Sequence, residues 1–280
     1  PEVLLEEYIE FAAIATIGDV VDLKDENRII TKLGLARVNA TKNKGILALI
    51  EANGLQDKEI AAYHIGFVIG PCLNASGRLE TAKLAFELLN ATSFEEAIQR
   101  ADKLKELNDK RKALTEEGVE AALAETAKHT EDKFQVIYLP DVHESIAGII
   151  AGRIREKLNK PVVVLTKGEE GVKGSGRSIE TCNMFEELTS VKYLLNKFGG
   201  HAMAAGLSLD EDKVDELRRE LNAKTKLTEE ALVPKIWIDV PMPLEYISGS
   251  LINQLKILEP FGKGNEKPVF ADKDLKVDRY

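Results

Sequence analysis

Within Gly174-Ser175-Gly176-Arg177-Ser178, a guanidinium and two hydroxyls stand between glycines. Arginine presents a planar fork that meets two phosphate oxygens at once, and each hydroxyl adds a single donor. Glycine lets a ligand approach the backbone closely. The segment lacks the Gly-Lys-Ser/Thr ending of a Walker A loop, and the same residues also suit a glycine-rich hairpin with an exposed arginine. Further along, Phe198-Gly199-Gly200-His201-Ala202-Met203-Ala204-Ala205-Gly206 sets one imidazole between a flexible glycine pair and a run of small residues. Little apolar bulk surrounds His201, so an anion held by backbone N–H groups explains Gly199 and Gly200 better than packing does. His143 precedes the small-residue run Ala147 to Gly152, where a strand would pass into a helix N-terminus able to meet a phosphate. It reads equally as part of a helix-entry turn. His64 and His129 sit in ordinary helical patterns and read as structural.

Asp19 follows the apolar run Phe11 to Ile17. If that run is a strand, Asp19 stands at its carboxyl end, where open α/β sheets bind ligands, and a carboxylate there suits Mg²⁺ or Mn²⁺. Taken alone, a turn or helix-capping aspartate is the simpler explanation.

These groups need elements to hold them. The first third alternates apolar bursts with helical patterns, as part of an α/β unit would. A helical stretch from Ile60 to Ile69 meets the breaker Gly70-Pro71, and Leu73 to Arg78 reads as a polar loop before a helix over Ala82 to Leu89. Ser93-x-x-Glu96 is a capping-box pattern. Behind it Ala97, Ala101, Leu104, Leu107, Leu114, Gly118 and Ala121 keep helical spacing, predicting one long, highly charged helix that links two domains. From Phe134 to Leu139 and Pro161 to Leu165 the pattern is β, with a helix over Ser145 to Leu158 between, a βαβ unit. Strands over Gly171 to Ser178 and Ala204 to Leu209, with a helix from Met184 to Leu195, complete a second α/β domain. After a charged helix, Asp210 to Ala223, a strand over Lys235 to Val240 and a helix over Tyr246 to Leu258 begin a third.

The chain has 280 residues, 44% hydrophobic and 30% charged, which fits a globular protein of one to three domains. A net charge of −9 argues against a surface that binds nucleic acid by bulk charge. Between Arg153 and Gly200, however, nine basic residues face six acidic ones, so the phosphate candidates lie in the basic part of an acidic chain. Cys72 and Cys182 are the only cysteines, which excludes a disulfide scaffold or a cysteine-rich zinc site. The expected location is cytoplasmic, since no apolar run approaches the roughly 20 residues of a membrane span and acid stands where a signal peptide carries base. A start at Pro1 suggests a piece of a longer protein.

At these residues the chain resembles the RecJ branch of the DHH phosphoesterase family, single-strand-specific DNA exonucleases. The blocks that carry the resemblance are Ala15 to Leu23, Gly70 to Leu79, His143 to Gly152, Gly174 to Ser178 and Phe198 to Gly206. Leu258 to Asn265 resembles the family's entry into its oligonucleotide-binding (OB) barrel. The resemblance implies an α/β fold: the end of a DHH domain over 1–92, a connecting helix over 93–130, a mixed α/β DHHA1 domain over 131–226 and the start of an OB-like barrel over 227–280. It assigns Asp19 to the metal centre and Asn74 with Arg78 to a substrate-facing loop. Ser175, Arg177 and His201 match the phosphate-binding surface of the DHHA1 domain, which closes over the nuclease site; with the residue reading above, the expected phosphate-binding set is His143, Ser175, Gly176, Arg177, Ser178, Gly199 and Gly200, with His201 as the catalytic candidate. The resemblance implies hydrolysis of single-stranded DNA from a 5′ end with Mn²⁺ or Mg²⁺, no membrane, and a single-strand-binding protein as candidate partner.

Two departures accompany it. The family draws most metal ligands from upstream aspartates and an Asp-His-His motif, whereas this chain has no adjacent histidine pair, so it is expected to be inactive by itself. Cys72 stands where many relatives carry a basic residue. The alternatives are a DHH/DHHA1 phosphodiesterase for short oligonucleotides or cyclic dinucleotides, and a non-catalytic nucleic-acid-binding module.

Overall fold

The computed structural model describes residues 2–168 and 171–276. The chain forms two compact units, one of residues up to Asn108 together with those from Ile236 onward, the other Asp109–Lys235. The division falls inside the longest helix.

The first unit begins with helices α1 (Glu2–Gly18), α2 (Asp25–Val38), α3 (Lys44–Ala52), α4 (Ala62–His64), α5 (Gly70–Leu79) and α6 (Lys83–Leu89). Phe11 to Ile17 is thus the second half of α1 and not a strand. Three alanines in seven residues favour helix, and the packing needs it: a Cβ added to Gly34 of α2 would lie 2.3 Å from Ala13 Cβ and 2.5 Å from the Ile9 carbonyl oxygen. The two helices cross with backbones in contact.

The expected breaker at Gly70-Pro71 and the loop over Leu73 to Arg78 are also helix. Ile65–Ile69 forms a π turn that leads directly into α5, with Pro71 in the first turn of α5. Proline has no N–H for the preceding turn and its ring crowds it, so the chain widens there, and the Gly70 N–H donates to the Ile65 carbonyl. Ile46, Leu49, Ile65, Ile69 and Leu88 are fully buried in this unit's core.

Helix α7 (Phe94–Thr126) starts at the anticipated cap. Ser93 Oγ accepts the Glu96 N–H at 3.1 Å, and Glu96 accepts the Thr92 N–H at 3.2 Å. Its Ala97, Ala101, Leu104 and Leu107 are buried in the core of the first unit. Ala122, with Leu114, Val119 and Leu123, packs in a cluster of the second.

The second unit is built on β1 (Gln135–Tyr138), β2 (Val162–Lys167), β3 (Val172–Arg177), β4 (Lys197–His201) and β5 (Ala204–Leu209), in the spatial order β1-β2-β3-β5-β4. The β1–β2 pair, joined through α8 (Glu144–Leu158), is parallel and the other pairs are antiparallel. The anticipated helix over Met184 to Leu195 divides into α9 (Met184–Ser190) and a short 3-10 turn. Beyond it the glycine pair read as flexible lies in strand β4, for which no element was anticipated. With α10 (Val214–Lys224), α9 covers one face of the sheet over Val163, Leu165, Val172, Ala205 and Leu207. On the other face α8 packs Ile146, Ala147 and Ile150 over Ile137, Val162 and Val164.

In the remaining part of the first unit the anticipated strand over Lys235 to Val240 contracts to β6 (Val240–Pro241), which pairs with β7 (Phe270–Ala271). The helix expected from Tyr246 contracts to α11 (Gly249–Leu255), because Ser248 Oγ accepts the Leu251 N–H and fixes the start. Among the described residues no helix is long and apolar enough to cross a membrane.

Candidate phosphate-binding site

Side chains alternate along a strand, so Lys173, Ser175 and Arg177 of β3 share one face of the sheet, and Gly174, Gly176 and Ser178 point to the other. Strand register carries the first set sideways. Arg177 pairs with Ala204, which pairs with His201; Ser175 pairs with Gly206, which pairs with Gly199; Lys173 pairs with Ser208, which pairs with Lys197. Helix α8 lies over β1, β2 and β3, and beside it β5 and β4 present only small or polar residues on that face. A groove of about 470 Å³ runs between the first turn of α8 and this part of the sheet.

Gly148 of α8 faces Arg177 and Ser175. A Cβ there would stand 2.8 Å from Arg177 Nη2 and 3.3 Å from Ser175 Oγ, so hydroxyl and guanidinium occupy space that only glycine leaves. The Arg177 Nη1 donates to the Gly176 carbonyl at 2.8 Å. Beyond Ser175 the floor is open: a Cβ on Gly199 would meet nothing within 4 Å, and one on Gly206 only a carbonyl at 4.0 Å. At the far edge, His201 Nδ1 accepts the Met203 N–H at 3.3 Å. That bond leaves the ring proton on Nε2, making it a donor. One face therefore gathers a cation, a hydroxyl, an imidazole N–H and bare backbone, a set of donors for an anion with several oxygens.

Three residues assigned to phosphate binding from sequence belong to the packing instead. The space above Gly176 is filled by Met184, whose sulfur would lie 2.9 Å from an added Cβ. Ser178 is 1% exposed, and its hydroxyl donates to the Cys182 carbonyl at 2.7 Å. Burial there pushes the Cys182 thiol up to about 11. Gly200 has φ +154°, and an added Cβ would strike the Ala204 carbonyl oxygen at 2.3 Å. His143 serves as the N-cap of α8: its Nδ1 accepts the Ser145 N–H at 3.2 Å and lies 2.7 Å from Ser145 Oγ. Gly148, Thr166, Lys173 and Lys197 were missed from sequence. The period of two in β3 and β4, continued from Ser175 and Gly199, was the available signal for the two lysines.

Asp19, Asn74 and Arg78 belong to the first unit. Asp19 is exposed and follows the C-terminus of α1, whose Gly18 Cα lies 3.8 Å from a Cβ built on Gly70. The next residue, Val20, holds φ +56°, a strained conformation for a β-branched side chain. Asn74 and Arg78 lie four residues apart on α5, both exposed and on one side of the helix. Cys72 lies inside, fully buried, where the Asn108 amide donates to its sulfur at 3.5 Å. It is a core residue and not a gap in a ligand surface. Among the described residues no three His, Cys, Asp or Glu side chains group to hold a metal ion. Asp22 is taken by Lys263 at 2.9 Å, which holds its carboxyl below the usual range. The described residues do not by themselves make the metal centre that the resemblance implies.

Comparison with known proteins places this geometry. Residues 131–227 match the DHHA1 domain family and residues 238–280 the RecJ OB domain family. Among relatives called single-stranded-DNA-specific exonuclease RecJ, the Bacillus subtilis protein is 36% identical over 95% of this chain and 34% of its own length, and the Escherichia coli protein 34% identical over 95% and 48%. The chain thus spans between a third and a half of those relatives' length. The crystal structure of RecJ with Mn²⁺ from Thermus thermophilus superposes with a TM-score of 0.84 at 32% identity, covering 95% of this chain and 40% of that one. A second structure, exonuclease RecJ bound to manganese, gives 0.66 at 34% identity, covering 78% of this chain and 54% of that one. With a DHHA1 domain around the groove and a RecJ OB segment after it, the chain belongs to the RecJ family.

Proposed function

We propose that this chain is the strand-gripping portion of a metal-dependent nuclease that removes nucleotides from the 5′ end of single-stranded DNA, and that the β3–β5–β4 face holds a phosphate of the strand. The observation that carries the reading is the convergence of Ser175 and Arg177 over Gly148, in register with Gly199 and His201. Arg177 offsets phosphate charge with paired donors, Ser175 adds a hydroxyl, and His201 Nε2 donates from across the open floor. The relatives' name supplies the substrate class, and the Mg²⁺ and Mn²⁺ complexes of the Thermus thermophilus protein supply the metal class. By itself the chain binds without cutting, since the only metal ligand assigned to it is Asp19. A single-strand-binding protein is a candidate partner of the intact enzyme.

The test is titration of the 280-residue chain with short single strands, with and without a 5′-phosphate, at fixed salt because phosphate contacts are screened. Arg177→Ala should weaken the phosphorylated strand by about 1.5 to 3 kcal/mol, the scale of a charge-assisted hydrogen bond. Arg177→Lys should restore part, keeping the charge without the fork. Equal affinities across the three proteins would remove the face from the binding site. Mn²⁺ added to the same mixtures should yield no cleavage beyond that of Asp19→Ala.

A further inference from the structure

The groove extends past Ser175, away from Arg177 and His201, to an end built from the row Lys173–Ser208–Lys197 and the first turn of α8. We propose that this end is a second phosphate position, which takes the phosphodiester one nucleotide along from the phosphate held by Ser175 and Arg177; it rests on the reading of that first position given above.

Four observations carry it. The two rows are two residues apart along the strands, about 7 Å, within the span of one extended nucleotide. Lys173 and Lys197 flank Ser208 on the same face, and Glu144 holds the Lys173 ammonium at 2.7 Å at the mouth of the groove. Helix α8, 15 residues long, points its positive N-terminal end at this position through Glu144 and Ser145. Thr166, paired with Lys173 across β2 and β3, lines the same end; it is fully buried, and its Oγ1 has no hydrogen-bond partner. A buried hydroxyl left unpaired is costly, and a phosphate oxygen in the groove would give it a partner.

The occupant is a nucleic-acid strand rather than an isolated anion, because the second position continues the first along one floor of Gly206 and Gly199. Glu144 belongs to the same logic. Its carboxylate pairs with Lys173 where the second phosphate would sit, so the strand must displace it.

The probes are thymidine 5′-monophosphate, with one phosphate, and the 5′-phosphorylated dinucleotide pdTpdT, with two, titrated calorimetrically into the full chain at fixed low salt. The wild-type chain is expected to bind the dinucleotide more tightly. Lys197→Ala should weaken the dinucleotide about tenfold and leave the monophosphate unchanged. Thr166→Val keeps the side chain's shape, so it should melt at the same or a higher temperature while losing severalfold in dinucleotide affinity alone. Loss confined to the dinucleotide supports the second position. Equal loss on both probes, or none on either, overturns it. Arg177→Ala acts on both probes if the first position is right, so its behaviour reports separately on that underlying reading.

Discussion

At Gly148 the absence of a Cβ leaves the space that the Arg177 guanidinium and the Ser175 hydroxyl occupy. Stability and binding should therefore respond in opposite directions to one methyl. Glycine inside a helix costs roughly 0.5 to 1 kcal/mol relative to alanine, so Gly148→Ala should hold or raise the melting temperature. The new methyl, however, pushes the flexible end of Arg177 from its place, and affinity for a 5′-phosphorylated strand should fall severalfold. Unchanged affinity would mean that Arg177 binds from another rotamer and that Gly148 is no positioning residue. Ser175, Arg177, Gly199 and His201 could be singled out as candidates in the sequence because their types are few and their chemistry is specific, and the strand register sets them on one face. Gly176, Ser178 and Gly200 were misjudged for one reason. Counted from Arg177, alternation sends Gly176 and Ser178 to the packed face, and neighbours in a motif are not neighbours on a surface.

At the scale of elements, β1, β2, β3 and β5 of the DHHA1 sheet and the helices around Ile65 to Ile69 and Lys83 to Leu89 were readable, whereas β4 and the helical state of Phe11 to Ile17 and Leu73 to Arg78 were not. Val162 to Leu165 and Gln135 to Tyr138 are short, β-branched and bounded by turns, whereas Phe11 to Ile17 is a short apolar run that periodicity alone leaves ambiguous between helix and strand. What decides that run is the contact with Gly34, a fact of tertiary packing. The π turn before Pro71 was equally hidden, since a proline in sequence signals a stop and only the widened turn lets the helix continue. Gly118 of α7 and Gly152 of α8 look alike in sequence, yet their surroundings differ. A Cβ on Gly118 would lie 2.4 Å from Ile150 Cδ1, and one on Gly152 would meet nothing within 4 Å. Gly118→Leu should thus overpack the α7–α8 contact and cost about 1 to 3 kcal/mol, while Gly152→Ala should gain about 0.5 to 1 kcal/mol. Urea denaturation measures both, and a gain at both positions would refute close packing at Gly118.

On the scale of the whole chain, the apolar clusters decide which piece can stand alone. The two clusters that sandwich the five-stranded sheet draw every buried member from residues between Ala122 and Leu227, and the cluster of the helical unit draws its own from Ile14 to Leu107. Among the described residues no buried cluster draws on both units, although α7 contributes to a cluster of each. A domain with its own core should fold by itself, so residues 109–235 expressed alone should unfold in one cooperative transition and retain native sheet signals. The phosphate face makes the prediction sharper, because Ser175, Arg177, Gly199, His201 and Gly148, which faces Arg177, all lie in that segment. Thymidine 5′-monophosphate should therefore bind the isolated segment within about twofold of its affinity for the full chain, and Arg177→Ala should weaken both equally. A segment that folds cooperatively but loses monophosphate binding would place part of the first phosphate position outside the DHHA1 sheet. A segment that binds the apolar dye ANS and melts without a transition would show that the half of α7 before Asp109 is required to complete the core.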